Sequence, residues 1–175
     1  MRCVAFMRNV NQGQRGHPST ADIVAGFADA GCPDVQPFQS NGTIVFDSDE
    51  AAEAVASAAE AIAVRSGHGR DILWIPLAEL VAIVDRHAAL DPHGHEFTLH
   101  RGGTVDAQAP DALALTTRAR CEIVDAGPGW ALVRNDVDGQ GNATPVLERL
   151  TGDRATSRGL PTLIRLVSRF GPQPG

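Results

Sequence analysis

The sequence predicts an α+β fold with two similar halves, and three observations predict it. Short apolar runs, typical of buried strands, alternate with helical repeats along the chain. In the first half these elements follow the order β-α-β-β-α-β, which is the order of a ferredoxin-like sandwich. The 175 residues are 43% hydrophobic and 21% charged, which is an ordinary globular composition. We therefore expect two ferredoxin-like halves, at residues 1–90 and 91–175, that form one compact unit.

Caps, turns and apolar spacing place the elements of the first half. Ser19 with Asp22 three residues later is a capping box, so a helix begins there. Asn41-Gly42 marks a turn between two short strands. The predicted elements are a strand at 3–7, a helix from 19 to 31, strands at 35–38 and 43–46, a helix from about 50 to 66 and a strand at 72–75.

The second half has the weaker pattern. Apolar residues at helical spacing predict a helix over 77–89, after which Phe97 and Leu99 alternate with polar residues as in a strand. The remaining elements are a helix at 110–115, a hairpin of 121–124 with 130–133, and helices at 144–150 and 161–170. This half therefore reads β-α-β-β-α-α, a degenerate copy of the first half with terminal helices.

Composition excludes several kinds of chemistry. All 15 basic residues are arginine, and there is no tyrosine, so Schiff-base lysines, phosphate-loop lysines and tyrosine acids are excluded. Cys3, Cys32 and Cys121 form no Cys-x-x-Cys pair and lie among apolar residues, so we expect core thiols in a reducing cytoplasm. No 18-residue apolar run and no secretory signal is present, so we expect no membrane.

Three motifs in order carry a resemblance to a known family. Residues 7–14 read Met-Arg-Asn-Val-Asn-Gln-Gly-Gln after a strand, and residues 31–35 lead into Ser-Asn-Gly-Thr-Ile-Val-Phe at 40–46. Near the end, Leu-Glu-Arg at 147–149 precedes Ala-Thr-Ser-Arg at 155–158 and a helix. The chain resembles the uncharacterised bacterial family known as domain of unknown function 1697. The resemblance implies an α+β fold of two ferredoxin-like parts and no established reaction.

Departures from the family fall on polar positions. The family's Ser-Lys before the penultimate helix is Gln140-Gly141 here, and its Asn-Trp after the late arginine is Gly159-Leu160. The family positions that match are Arg8, Asn11, Gly42, Thr156 and Arg158. The hydrophobic framework of the family is retained in this chain while polar positions differ, so the resemblance supports the fold more than any activity.

The strongest candidate site is the loop that follows the first strand. It holds Arg8, Asn9 and Asn11 before a helix, where backbone N–H groups and the helix dipole favour an anion. The resemblance adds the turn from Asn41 to Thr43 and the late Arg158. Both chain ends are basic around an acidic middle. We therefore predict a small anionic ligand, nucleotide-like or a carboxylate, with Arg8 and Arg158 converging on one cleft.

Other motifs carry less chemistry. His93 and His95 are spaced as metal ligands on a strand, but His100 would point to the other face. We expect a polar loop there, no metal and no cofactor. The segment 135–139 resembles half a calcium loop in the wrong register and is predicted to be a turn. Aromatic residues are 5% of the chain and the pI is 5.4, which argues against nucleic acid as a partner.

Two alternatives to a binding module stay open. One is a cofactor-independent enzyme acting on a small organic metabolite, with histidine or carboxylate acid–base groups and unassigned catalytic residues. The other is a homo-oligomeric interaction protein that pairs through open sheet edges and has no small-molecule site. The sequence does not distinguish oligomeric states.

Overall fold

The computed structural model describes residues 1–172 and divides the chain into two units. Unit 1 is Met1–Leu80, and unit 2 runs from Val81 onward. Each unit contains a four-stranded antiparallel sheet with helices, which confirms an α+β fold with two similar halves. The predicted boundary at residue 90 stays a prediction.

Unit 1 has the predicted β-α-β-β-α-β order. The elements are β1 (Arg2–Met7), α1 (Thr20–Asp29), β2 (Gln36–Phe38), β3 (Thr43–Asp47), α2 (Ala51–Ser66) and β4 (Ile72–Pro76). The sheet runs in the order β2-β3-β1-β4, with every pair antiparallel. α3 (Leu77–Arg86) begins directly after β4, and the division between the units falls inside it.

One face of the unit 1 sheet is apolar and packs against α1 and α2. Because side chains alternate along a strand, β1 presents Cys3, Ala5 and Met7 to this core. The two helices pack closely at Gly26, where any Cβ would overlap the side chain of Ile62. The buried members of the core are Cys3, Ala5, Met7, Val10, Ile23, Phe27, Cys32, Val35, Ile44, Phe46, Ala51, Ala54, Val55, Ala58, Ile62 and Ile72.

Unit 2 repeats the topology of unit 1. The elements are β5 (His95–His100), α4 (Pro110–Ala119), β6 (Cys121–Gly127), β7 (Trp130–Asn135), α5 (Ala143–Thr151), β8 (Ala155–Gly159) and α6 (Leu160–Phe170). The sheet runs in the order β6-β7-β5-β8, again antiparallel, which is the same arrangement with each strand replaced by its counterpart. α6 continues directly from β8, as α3 continues from β4.

β8 corrects the sequence prediction for the second half. The β-α-β-β-α-α order is wrong, because residues 155–159 form a strand between the last two helices. The segment reads Ala-Thr-Ser-Arg-Gly, which has no apolar alternation to indicate a strand. It is nevertheless paired with β5 along its length and buried at Ala155, Thr156 and Arg158. The strand completes a second β-α-β-β-α-β unit.

The helix-facing side of the unit 2 sheet mixes apolar and polar groups. Cys121, Ile123, Ala131 and Val133 pack with α5 in its core. Residues directly opposite on antiparallel strands share a face, and Thr98 lies opposite Ala131 while His100 lies opposite Ala155. β5 therefore presents Glu96, Thr98 and His100 to the side on which unit 1 places apolar residues only.

The three cysteines are core residues, as predicted. Cys3, Cys32 and Cys121 are buried free thiols. Burial raises the pKa of the Cys3 thiol to about 11 and also raises the pKa of Cys32 and of Cys121. They are therefore protonated at neutral pH and unsuited to nucleophilic chemistry.

Across residues 1–172, no helix has both the length and the apolar character needed to cross a bilayer.

Candidate functional site

The β1–α1 loop (residues 8–19) and the 39–42 turn are held against each other in unit 1. The backbone N–H of Gln12 donates to the carbonyl of Ser40 at 2.8 Å. At the base of the loop, the N–H of Met7 donates to the carbonyl of Gly42 at 2.8 Å. Backbone bonds therefore bring together the two segments that the sequence analysis singled out, Arg8–Asn11 and Asn41–Thr43.

Gly42 makes this close approach possible. Its φ is +74°, and a Cβ at this position would lie 2.8 Å from Met7 Cβ and 3.0 Å from Val10 Cβ. Such contacts are far inside van der Waals distance, and the two Cβ atoms they involve are fixed by the backbone. Any other residue would therefore push the turn away from the loop.

Arg70 holds both ends of the loop through hydrogen bonds, and the sequence did not predict this residue as part of the site. Its Nε donates to the carbonyl of Asn9 at 3.1 Å and its Nη2 to the carbonyl of Gly16 at 2.8 Å. Its Nη1 donates to the carbonyl of Gly69 at 2.8 Å. Arg70 lies 54 residues beyond Gly16 with no local motif around it, so only the folded structure connects them. The guanidinium both fixes the loop and adds a positive charge to it.

Asn9 and Asn11 help to fix the backbone conformation of the loop. Asn9 has φ +52°, a left-handed conformation that asparagine tolerates better than most residues. The backbone N–H of Asn11 donates to His17 Nδ1 at 3.0 Å, which closes a short ring within the loop. The side chains of Asn9 and Asn11 belong to exposed residues. Both amides are therefore available at the surface.

Of the two turn residues whose side chains belong to the predicted site, Thr43 is buried and Asn41 is half-buried. Thr43 is fully buried at the start of β3, and its hydroxyl donates to Asn41 Oδ1 at 2.8 Å. Asn41 is half-buried. Thr43 therefore orients the Asn41 amide, which is a positioning role.

Gln12 belongs to the predicted loop as a neutral donor and acceptor, although it was not among the predicted site residues. Its Oε1 accepts a hydrogen bond from Thr20 Oγ1 at 3.0 Å. Its Nε2 is buried and has no hydrogen-bond partner among residues 1–172. Because a buried donor without an acceptor costs about 1–3 kcal/mol, this N–H favours an acceptor oxygen at the loop.

The start of α1 differs from the expected anion site. Ser19 Oγ accepts from the Asp22 N–H at 3.1 Å, and Asp22 Oδ2 accepts from the Ser19 N–H at 3.2 Å. The Ser19 hydroxyl also donates to Asp22 Oδ2 at 2.7 Å, and this bond, with the smaller effect of the Ser19 N–H, lowers the pKa of the Asp22 carboxyl. A carboxylate of the chain itself therefore already lies at the N-terminus of α1, bound to the N–H of the N-cap residue. The donors for an anion are therefore those of the loop, Gln12 and the arginines.

Arg158 lies in unit 2 on β8, opposite Phe97 of β5. It is 7% exposed, and burial lowers the pKa of its guanidinium to about 10, so it stays charged at neutral pH. Its Nη1 donates to Thr156 Oγ1 at 3.1 Å and to the carbonyl of Ser157 at 2.8 Å. Because a buried charge is costly unless hydrogen-bonded, these contacts explain how β8 holds it. The predicted convergence with Arg8 stays a prediction.

The histidine motif is split by the strand. His95 begins β5 and is buried, while His100 ends it on the opposite face, as its spacing predicts. His93 is exposed, with Nδ1 3.9 Å from Asp138 Oδ2. In the described part of the chain, no cluster of three His, Cys, Asp or Glu side chains is arranged to hold a metal. Asn135 ends β7, and the predicted turn is confirmed over residues 136–139, with Gly139 at φ +81°.

The comparisons with known proteins agree with the fold. The model of the family described as "Protein of unknown function (DUF1697)" matches residues 1–119, so the C-terminal motif at 147–158 lies outside the match. A solved structure of the conserved bacterial protein SP0830 from Streptococcus pneumoniae is 14% identical with a TM-score of 0.59. The similarity extends over 95% of this chain and 97% of the SP0830 chain. At this identity the likeness supports the fold alone. No curated protein matches the chain.

Proposed function

We propose that this chain, which belongs to the family of proteins of unknown function DUF1697, binds a small anionic ligand at unit 1. The proposed site is the β1–α1 loop with the 39–42 turn. The arginines at the loop carry the proposal, with Arg70 bound to two of its carbonyls, and the Gln12 amide adds a buried polar atom without a partner among the described residues. The ligand class is a carboxylate or a phosphate, both of which present acceptor oxygens.

The charge around the loop supports this ligand class. Arg8, Arg15 and Arg70 belong to the loop or bind its carbonyls, and two acids adjoin it, Asp22 at its end and Asp71, whose carbonyl accepts from the Arg8 N–H at 2.8 Å. The loop is also held in place before any ligand arrives, through Ser40, Gly42 and Arg70. Binding to a preorganised surface loses less conformational entropy. Arg8, Asn9, Asn11, Asn41 and Thr43 remain the proposed residues, with Thr43 acting through Asn41.

The test is a thermal shift series with inorganic phosphate, succinate and adenosine monophosphate. We expect at least one anion to raise the Tm, because a ligand that binds only the folded state stabilises it by mass action. Phosphate and succinate separate the two ligand classes. If no anion of the series raises the Tm, the proposal is wrong.

Two variants test the site itself. Gln12→Glu keeps the acceptor for Thr20 and replaces the buried donor by a carboxylate, so it should abolish the shift. Arg8→Ala should remove binding while lowering the free energy of unfolding by at most about 1 kcal/mol. Arg165→Gln, an exposed arginine of unit 2, makes the same change in net charge as Arg8→Ala and should leave the shift in place. Equal loss in all three variants would indicate nonspecific attraction.

The contribution of Arg158 and the two alternative functions stay predictions. His100 is the histidine whose pKa burial lowers, and it lines neither of two cavities found within unit 2. His95, Glu96 and Asp138 line one of these cavities, so the enzyme hypothesis stays a prediction that rests on those residues. Light scattering tests the homo-oligomer hypothesis directly.

A further inference from the structure

Unit 2 contains a cavity of about 230 Å³ between the start of β5, the end of β7 and the start of α6. It is distinct from the loop of unit 1, and its lining carries the opposite charge. We propose that this cavity binds a small molecule with a primary ammonium group, held by Glu96, Asn135 and Asp138.

Glu96 provides the central acceptor. Its Oε2 accepts from Asn135 Nδ2 at 2.8 Å and from the backbone N–H of Ala143 at 3.3 Å. The second bond caps α5, whose own N-cap residue Asn142 makes no side-chain cap bond. Oε1 lies on the side of Gly141, 4.0 Å from where a Cβ of that residue would be. The carboxylate is therefore fixed by one oxygen, while the other is directed towards residues that line the cavity.

Asn135 gives an independent indication of a ligand with donors. The residue lines the cavity and is 6% exposed. Its Nδ2 faces the Glu96 carboxylate, which fixes the orientation of the amide. The remaining atom, Oδ1, is a buried acceptor with no hydrogen-bond partner within residues 1–172. An N–H donor is the group that would satisfy it.

The charge of the lining favours a cation. Asp138 adds a second carboxylate, which is exposed and whose Oδ1 accepts from the Gly94 N–H at 2.9 Å, and His95 is the histidine of the lining. No lysine or arginine is among the lining residues of this cavity. Arg134 is paired with Glu122 at 2.7 Å. Arg165, which reaches the lining residue Thr162 at 3.4 Å, is exposed, so solvent screens its charge.

The size of the cavity limits the ligand. Pockets for drug-sized molecules span about 300–1,000 Å³, so this one suits a short amine. An ammonium group offers three N–H donors, enough to serve Asn135 Oδ1 and a Glu96 oxygen together. Charge-assisted bonds of this kind are the strongest ordinary hydrogen bonds.

The test is a titration of the whole chain followed by backbone amide NMR. The probe is 1,4-diaminobutane, and its controls are 1,4-butanediol, which has similar size without charge, and succinate, which has the opposite charge. We expect saturable shifts at Gly94, Asn135 and Gly141 with the diamine alone. An absence of saturable shifts, or equal shifts with the diol or with succinate, overturns the proposal.

Gly141→Lys sharpens the test, because it places an ammonium of the chain itself beside Glu96. Gly141 does not have a left-handed φ, so a side chain is tolerated, and Gly141→Met controls for bulk. We expect the lysine variant to lose diamine binding. Glu96→Gln should weaken diamine binding by about tenfold or more. This variant should keep the fold, because the glutamine oxygen still accepts from the Ala143 N–H. Unchanged affinity in both variants refutes the site. Gln12→Glu in unit 1 should not alter these shifts.

Discussion

The two units have the same strand order and opposite placements of polarity. In unit 1 the central strand β1 presents Cys3, Ala5 and Met7 to the helices. In unit 2 the central strand β5 presents Glu96, Thr98 and His100 on the equivalent side. The polar residues of the candidate site in unit 1 lie instead in the loop between β1 and α1 and in the adjoining turn. The same topology is therefore stable with an apolar or a polar central strand.

The hydrogen bonds of unit 2 explain how it tolerates the polar strand. Ser157 Oγ lies 2.7 Å from Thr98 Oγ1 and 2.6 Å from Thr144 Oγ1, which joins β5, β8 and α5. Glu96 is bonded to Asn135 and to the start of α5. Because buried polar groups cost little once paired, these residues replace part of the apolar packing. The pairing is incomplete at Asn135, which lines a cavity, and at His100, which lines neither of the two cavities of unit 2.

The largest expected effect breaks the arrangement of unit 1. Gly42→Ala forces an alanine into a left-handed φ and places its Cβ against Met7 and Val10. We expect a loss of about 2–4 kcal/mol in the free energy of unfolding, measured by urea denaturation. The variant should also lose anion binding, because the turn no longer meets the loop.

Gly13→Ala is the matched control for this prediction. Gly13 has φ +85° but no atom within 4 Å of its would-be Cβ, so only backbone strain remains. We expect a loss of about 1 kcal/mol. Equal losses in the two variants would mean that the contact between loop and turn contributes nothing to stability.

A smaller effect tests the polar sheet of unit 2. Ser157→Ala removes the hydroxyl shared by Thr98 and Thr144 and leaves Thr98, which is fully buried, with an unpaired group. We expect a loss of about 1–3 kcal/mol by urea denaturation. Adding Thr98→Val should recover part of the loss, because replacing both partners avoids the unpaired hydroxyl.

The converse change in unit 1 completes this test. Ala5 is the middle helix-facing residue of β1, as Thr98 is of β5, and it is fully buried. Ala5→Ser should cost about 1–3 kcal/mol, since the hydroxyl enters an apolar core. If Ala5→Ser is neutral and Ser157→Ala is neutral as well, polarity is not what distinguishes the two sheets.

Sequence reasoning recovered unit 1 better than unit 2 for a physical reason. Where burial is apolar, as at Cys3–Met7 or Thr43–Phe46, periodicity reports it directly. β8 is buried through hydrogen bonds and a guanidinium, at Thr156, Ser157 and Arg158, and no hydropathy pattern reveals that.

The candidate site shows the same limit. The motif pointed to Arg8, Asn11 and the Asn41 turn, and backbone bonds do bring the loop and the turn together. Arg70 and the orphan amide of Gln12 depend on contacts between distant segments. The sequence predicted the capping box at Ser19. That the Asp22 carboxylate already lies at the N-terminal end of α1 follows only from the hydrogen bonds themselves.

The smallest expected effect is a pH dependence that arises in unit 2. His100 is buried at the end of β5, its Nδ1 accepts from the Gly102 N–H at 3.2 Å, and its Nε2 has no partner among the described residues. Burial lowers the pKa of this imidazole from its ordinary 6.5. Below pH 6.5 the unfolded chain therefore binds a proton that the folded chain resists, and stability falls as pH falls. Above that pH both states are neutral, so His100 adds no pH dependence.

The measurement is urea denaturation at pH 7.5 and at pH 5 for the wild type and for His100→Gln. We expect the wild type to lose more stability between the two pH values than the variant does, because glutamine does not titrate. The carboxylates that titrate in acid are common to both proteins, so their contribution cancels in the comparison. A pH dependence that is identical in the two proteins would mean that His100 takes up its proton in the folded state as readily as in the unfolded state. The polar face of β5 would then be open to water, and its hydrogen bonds would be worth little more than those of the exposed loop in unit 1.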